Sequence, residues 1–152
     1  MQSELENIAK LLEQFTDCWC RKKPTELIKI WDENEKIPFY IAEEIFDPIY
    51  GWDRIINYWQ ESEKMLKKFS IRTYDLKYKI IEKDVAVLNF IMHWNAYLNS
   101  DNQGPFGLDV RVSSLIRRIN SDWKFFHYIE SRLGAFPYIQ EVYKSNVDDD
   151  FL

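Results

Sequence analysis

His93 and His127 are the side chains of this sequence whose ordinary pKa lies near neutrality, where one group can both take and give a proton. Both sit in stretches of alternating character. A turn centred on Ser121 pairs His127 with Leu115 and Ser131 with Arg111, so odd-numbered residues share one face: Asp109, Arg111, Ser113, His127 and Ser131. Asn89, His93, Asn95 and Tyr97 join them from the preceding hairpin. Asp109 can orient either histidine or pair with Arg111, and the ion pair with Arg111 is the expected arrangement. The bland alternative for each histidine is a hydrogen-bonded place in a mixed core; two on one face direct attention to catalysis. A metal site needs three or four convergent ligands, and His93, His127 and Asp109 make at most a weak one, so no metal is expected. Glu43 and Glu44 are adjacent in a strand-like run, which turns one in and one out. A carboxyl desolvated among aromatics has a raised pKa and suits a general base; the competing arrangement exposes one and pairs the other with Arg111 or Arg54. Trp19, Trp31, Tyr40, Trp52, Tyr58 and Trp59 suit a flat apolar ligand, although at helical spacing such residues more often form plain core.

Composition narrows the chemistry. The chain has 152 residues, four of them Gly, and no GxGxxG or Walker-type run, so nucleotide cofactors are not expected and none is needed for proton transfer. A net charge of −5 without a basic stripe argues against a nucleic-acid surface. Cys18 and Cys20 lie two apart in a helical stretch and cannot bridge each other. They are expected to be free thiols of a cytoplasmic protein. The N-terminal run lacks the basic and apolar regions of a signal peptide, and no stretch approaches the roughly 18–20 apolar residues of a membrane span.

The elements that must position these residues follow from periodicity. Ser3 and Glu6 form a capping box ahead of Ile8, Leu11, Leu12, Phe15 and Trp19, one helical stripe over about 4–21. Pro24 opens a short second helix carrying Leu27, Ile30 and Trp31. A strand is expected over 39–45 and a third helix over 52–69, where Trp52, Ile55, Ile56, Trp59, Leu66 and Phe69 recur on one face. From Ile71 the period becomes two, giving strands over 71–81, 85–98, 106–119 and 123–131 in an antiparallel meander. Residues 137–144 suit one or two helical turns, and Asp148-Asp149-Asp150 is an acidic tail. This order specifies α+β, a curved antiparallel sheet around three helices of the N-terminal half, within a single domain whose core spans 4–133 and whose extension spans 134–152. Large apolar residues at the even positions of 85–98 mean that both sheet faces need cover. The helices supply one, and a second copy is expected to supply the other as a sheet-to-sheet homodimer.

The closing Trp31-Asp32, the strand Phe39-Tyr40-Ile41-Ala42-Glu43-Glu44, the helix start Gly51-Trp52-Asp53 with Tyr58-Trp59, and the strand Asp122–Ser131 stand in a shared order and spacing. In these features residues 4–133 resemble the nuclear-transport-factor-2-like superfamily, the cone-shaped α+β fold of ketosteroid isomerase, scytalone dehydratase and SnoaL-like polyketide cyclases. The resemblance implies a deep pocket between the concave sheet and the helices, a dimer through the convex sheet, and no single activity. It also implies that the odd face, with Phe125, His127, Ile129 and Ser131, looks into the cone. The opposite assignment, apolar even face under the helices and polar odd face in solvent, stays open, and a bulge would reverse either locally. In ketosteroid isomerase the proton-abstracting carboxylate lies on the first strand, which by this resemblance falls within a residue of Glu43. The isomerase's neutral carboxylic acid corresponds roughly to Leu115, which cannot donate a hydrogen bond, so steroid isomerisation by that route is not expected.

The expectation is therefore a SnoaL-like pocket protein with cofactor-free lyase, isomerase or cyclase chemistry. Glu43 or a histidine would act as general base, and Arg111 or Tyr40 would steady negative charge. Trp19, Trp31, Tyr40, Trp52, Tyr58, Asn95 and Ser131 would hold a small apolar or aromatic ligand. The alternative is a non-catalytic ligand-binding or dimerisation module, and neither nucleic acid nor membrane is an expected partner.

Overall fold

The computed structural model describes residues 3–100, 104–134, 144 and 148. Helix α1 (Glu4–Cys20) starts where expected: the Ser3 N–H donates to Glu6 Oε2 at 2.8 Å and the Glu6 N–H donates to Ser3 Oγ at 3.2 Å, satisfying donors that the first turn leaves without helical partners. Its apolar stripe of Ile8, Leu11, Leu12, Phe15, Cys18 and Trp19 is buried. Pro24 opens a 3-10 helix (Pro24–Ile30). Strands β1 (Phe39–Ile41) and β2 (Ile49–Tyr50) are short, and β1 stops before Glu43 because the chain turns from Ala42, with the Ile45 N–H donating to the Ala42 carbonyl. Gly51, at φ +80°, makes the left-handed step into helix α2 (Trp52–Met65).

Helix α2 is shorter than its periodicity suggests. Leu66 and Phe69, three apart, already belong to β3 (Leu66–Glu82), where a register shift between Leu66 and Lys68 opposite β4 accounts for spacing that mimics a helix. Strands β4 (Val85–Leu98), β5 (Phe106–Ile119) and β6 (Asp122–Arg132) complete the expected meander. The sheet order is β2-β1-β6-β5-β4-β3, and it is mixed, because β1 runs parallel to β6 with Phe39 beside His127. Gly107 in β5 is forced by close approach, since a Cβ there would stand 2.5 Å from the Trp94 carbonyl oxygen. The expected helical turns at 137–144 and most of the acidic tail lie outside the described residues.

Burial settles the parity. Along β4 the covered residues are Ala86, Leu88, Phe90, Met92 and Ala96, and along β5 they are Val110, Val112, Ser114 and Ile116. The even face lies under the helices, which corrects the expectation that the odd face looks into the cone. It also removes the reason given for a second copy on the even face, because α1 and α2 already cover that surface. Strand β6 changes parity midway. Leu115 pairs with His127 as expected, but Ile116 pairs with Phe125, so Phe126 is an extra residue. Trp123 and Phe125 therefore face the core before the bulge and Tyr128 after it.

Candidate active site

A cavity of about 210 Å³ opens between α1, α2 and the inner face of the sheet, walled by Trp19, Phe69, Met92, Trp94 and Phe106. An apolar cavity of roughly 150 Å³ holds benzene, so this one has room for a molecule of one or two rings. Among the described residues, Glu44 and Glu130 are the two charged residues in its lining.

Glu130 reaches the cavity because of the β6 bulge. Its carboxylate accepts from the Tyr128 hydroxyl at 2.7 Å on Oε1 and from the Glu43 N–H at 3.2 Å on Oε2. Burial in an apolar pocket pushes this carboxyl up to about 8. The Glu44 and Glu43 charges add to the rise, while the Tyr128 hydroxyl and the Glu43 N–H oppose it by stabilising the ionised form. Tyr128 stacks on Tyr40 with ring centroids 4.8 Å apart, and Tyr40 meets Tyr58 at 5.3 Å. Burial holds all three phenols well above their ordinary pKa, so each keeps its proton and remains a donor. Tyr58 donates to Glu44 Oε1 at 2.6 Å.

The expected site residues divide into four groups. Trp19 and Tyr58 line the cavity, and Tyr40 packs behind it. Glu43 lies beside the cavity but is engaged elsewhere: its side chain is 4% exposed and ion-pairs with Arg132. Trp31 belongs to the core, against Tyr40, Trp59 and Phe125, and Trp52 donates from Nε1 to the Glu35 carbonyl. His93, Asp109, Arg111, Asn95, His127 and Ser131 stand on the outer face of the sheet, away from the cavity, which corrects their placement in one pocket. There His93 Nδ1 lies 2.7 Å from Asp109 Oδ1, while Arg111 donates to the Arg132 carbonyl, so Asp109 partners the histidine rather than the arginine. His127 packs edge-on against Phe39, and burial pushes its pKa down. Among the described residues, no group of three His, Cys, Asp or Glu could hold a metal ion.

Glu130 is the residue that sequence reasoning missed. Strict alternation from Trp123 turns it outward; the signal for a bulge is the apolar spacing Trp123, Phe125, Tyr128, two and then three apart.

Neither protein-family models nor curated proteins return a match, whereas solved structures match over most of the chain. A nuclear transport factor 2-like superfamily protein from Salmonella enterica serovar Typhimurium superposes with a TM-score of 0.73 at 18% identity, over 85% of this chain and 90% of that one. The chain has the nuclear-transport-factor-2-like fold. A candidate scytalone dehydratase from Novosphingobium aromaticivorans matches this chain with a TM-score of 0.75 at 11% identity, over 86% of this chain and 85% of that one. A hexachlorocyclohexane dehydrochlorinase of type 2 matches at 0.69 with 13% identity, covering 84% of each chain. At such identities the likeness speaks for the NTF2-like architecture alone. No helix among the described residues is long and apolar enough to cross a membrane.

Proposed function

We propose that this protein is a cofactor-free enzyme that moves a proton on a small molecule held in the cavity, as an isomerase or lyase, with Glu130 as the proton-transfer group. The observation that carries this reading is a carboxyl at the wall of an aromatic cavity with both oxygens hydrogen-bonded, whose burial there pushes its pKa up to about 8. Such a group is available in both protonation states near neutral pH. It can give a proton to a departing or carbonyl oxygen, or take one from carbon, a contribution worth about 10²–10⁴-fold in rate. Tyr128 and the Glu43 backbone fix its orientation, and Glu44, held by Tyr58, offers a second carboxylate at the same cavity. The names dehydratase and dehydrochlorinase among the structural neighbours denote eliminations, which need one group to take a proton and a partner to assist departure.

The test is exchange of carbon-bound hydrogen with D2O, by NMR, across a library of one- and two-ring ketones, alcohols and amines. Exchange by the native chain should fall about 10²–10⁴-fold in Glu130→Gln; undiminished exchange in that variant discards Glu130 as the proton-transfer group.

We also propose a homodimer through the outer face, where Val87, Ile91, Leu115 and Ile129 are only partly covered by neighbouring side chains. Light scattering at micromolar concentration reads this directly, and a monomer contradicts it.

A further inference from the structure

The ionisable carboxyl groups at the cavity wall, Glu44 and Glu130, are both acidic. Among the described residues, the cavity lining contains Glu44 and Glu130 and no Lys, Arg or His. Its walls are aromatic, with Phe69 5.3 Å from Trp19 and 6.3 Å from Trp94, and Trp94 5.7 Å from Phe106. The face of each ring is the negative side of its quadrupole and attracts cations. Arg132, at the end of β6, is engaged by the buried Glu43 carboxylate. A ligand carboxylate or phosphate would meet these two acidic groups without a cation among the described lining residues to offset them.

We propose that the cavity takes a small organic cation: an apolar body of one or two rings against Trp19, Phe69 and Trp94, and one ammonium group set between Glu44 and Glu130. This names the substrate class of the site proposed above and rests on that reading of the cavity. The groups facing Glu130 are Tyr128 on its own strand, Tyr40 of β1, Glu43 and Glu44 of the following turn, and Tyr58 of α2; its cross-strand partner on β5 is Val112. The three tyrosines keep their protons, so Glu130 is the group whose charge changes near pH 8. A cation beside it favours the carboxylate. Binding therefore releases the Glu130 proton to the buffer, and affinity rises with pH until Glu130 is ionised in the free protein.

Benzyltrimethylammonium, whose charge does not titrate, and its neutral isostere neopentylbenzene separate charge from shape. Dissociation constants for the full chain are measured by tryptophan fluorescence at pH 6, 7, 8 and 9. The cation should bind about ninefold more tightly from pH 6 to 7, about fivefold more from 7 to 8 and only about twofold more from 8 to 9, because only the ionised fraction of Glu130 is competent. The isostere should bind at least roughly tenfold more weakly at pH 9 and without pH dependence. Glu130→Gln should abolish the pH dependence, and Glu44→Gln should weaken the cation while leaving the isostere unchanged; circular dichroism and cooperative urea unfolding establish that both variants are folded. Binding of the isostere as tight as that of the cation overturns the charge assignment and leaves the cavity as a binding site. Absence of binding by both overturns the assignment together with the reading of the cavity as the functional site.

Discussion

Replacing Glu130 by Gln removes an ionisable group from the cavity wall while keeping a side-chain oxygen able to accept from Tyr128 or the Glu43 N–H. The folded chain holds the Glu130 proton up to about pH 8, whereas the reference carboxyl loses it near 4.5. Between those values the native state binds more protons than the unfolded state, so stability falls as pH rises through this window and is level outside it. A difference of about 3.5 pH units at about 1.36 kcal/mol each gives a penalty of up to about 5 kcal/mol, reduced to the extent that water in the cavity solvates the carboxylate. The two chains should therefore be closely matched near pH 4.5, and Glu130→Gln should become progressively more stable from pH 5 to 9. At the upper limit its melting temperature would stand roughly 10–20 °C above that of the native chain. Urea unfolding followed by tryptophan fluorescence at pH 5, 7 and 9 measures the difference, in which other titrating groups common to both proteins cancel. A stability gap that does not grow with pH would refute the claim that Glu130 is desolvated, and with it the basis for its catalytic assignment. Increased stability combined with lost proton exchange would show a functional group held at a cost to the fold.

Tyr128→Phe deletes the hydroxyl that favours the ionised form of Glu130, so the Glu130 titration, followed by carbon NMR, should move above about 8; a downward shift contradicts the donor assignment. Arg117→Ala strands the Asp32 carboxylate, whose side chain is 4% exposed and which Arg117 contacts at 2.6 Å, and should cost roughly 1.5–3 kcal/mol in urea unfolding at pH 7. His127 is favoured in its neutral form by burial, so folding loses stability as pH falls below 6.5; His127→Gln should gain on the native chain at pH 5 and match it at pH 8. His93→Ala breaks the pair with Asp109 on the outer face, and benzyltrimethylammonium affinity should stay within about twofold of native, since a larger loss would place His93 in the cavity chemistry.

The start of each helix and the meander of long strands were legible because they rest on local rules, whereas β1 and α2 end earlier and β3 starts earlier than their patterns suggest. The Ser3 and Glu6 cap, the α1 stripe, the period of two after Ile71 and the turn at Ser121 each follow from residues close in sequence. The partners Leu115 and His127, and Arg111 and Ser131, are those that a turn centred on Ser121 predicts, but by compensation: the hairpin closes one residue off, with Ile119 opposite Asp122, and the extra residue Phe126 restores the register. The site was not legible from parity alone. Alternation identifies which residues share a face but not which face the helices cover, and here the apolar even set of β4 and β5 lies under α1 and α2 while the polar odd set looks outward. One extra residue, Phe126, then carries Glu130 inward and His127 outward, exchanging the two candidates for proton transfer. Sequence by itself determined where the helices begin, the run of long strands, the aromatic supply and the exclusion of nucleotide motifs, because these depend on composition and short-range spacing. Tertiary structure alone decided that Glu130 is the desolvated acid, since its titration near 8 comes from apolar packing and neighbouring carboxylates that a sheet bulge and the turn after β1 bring together.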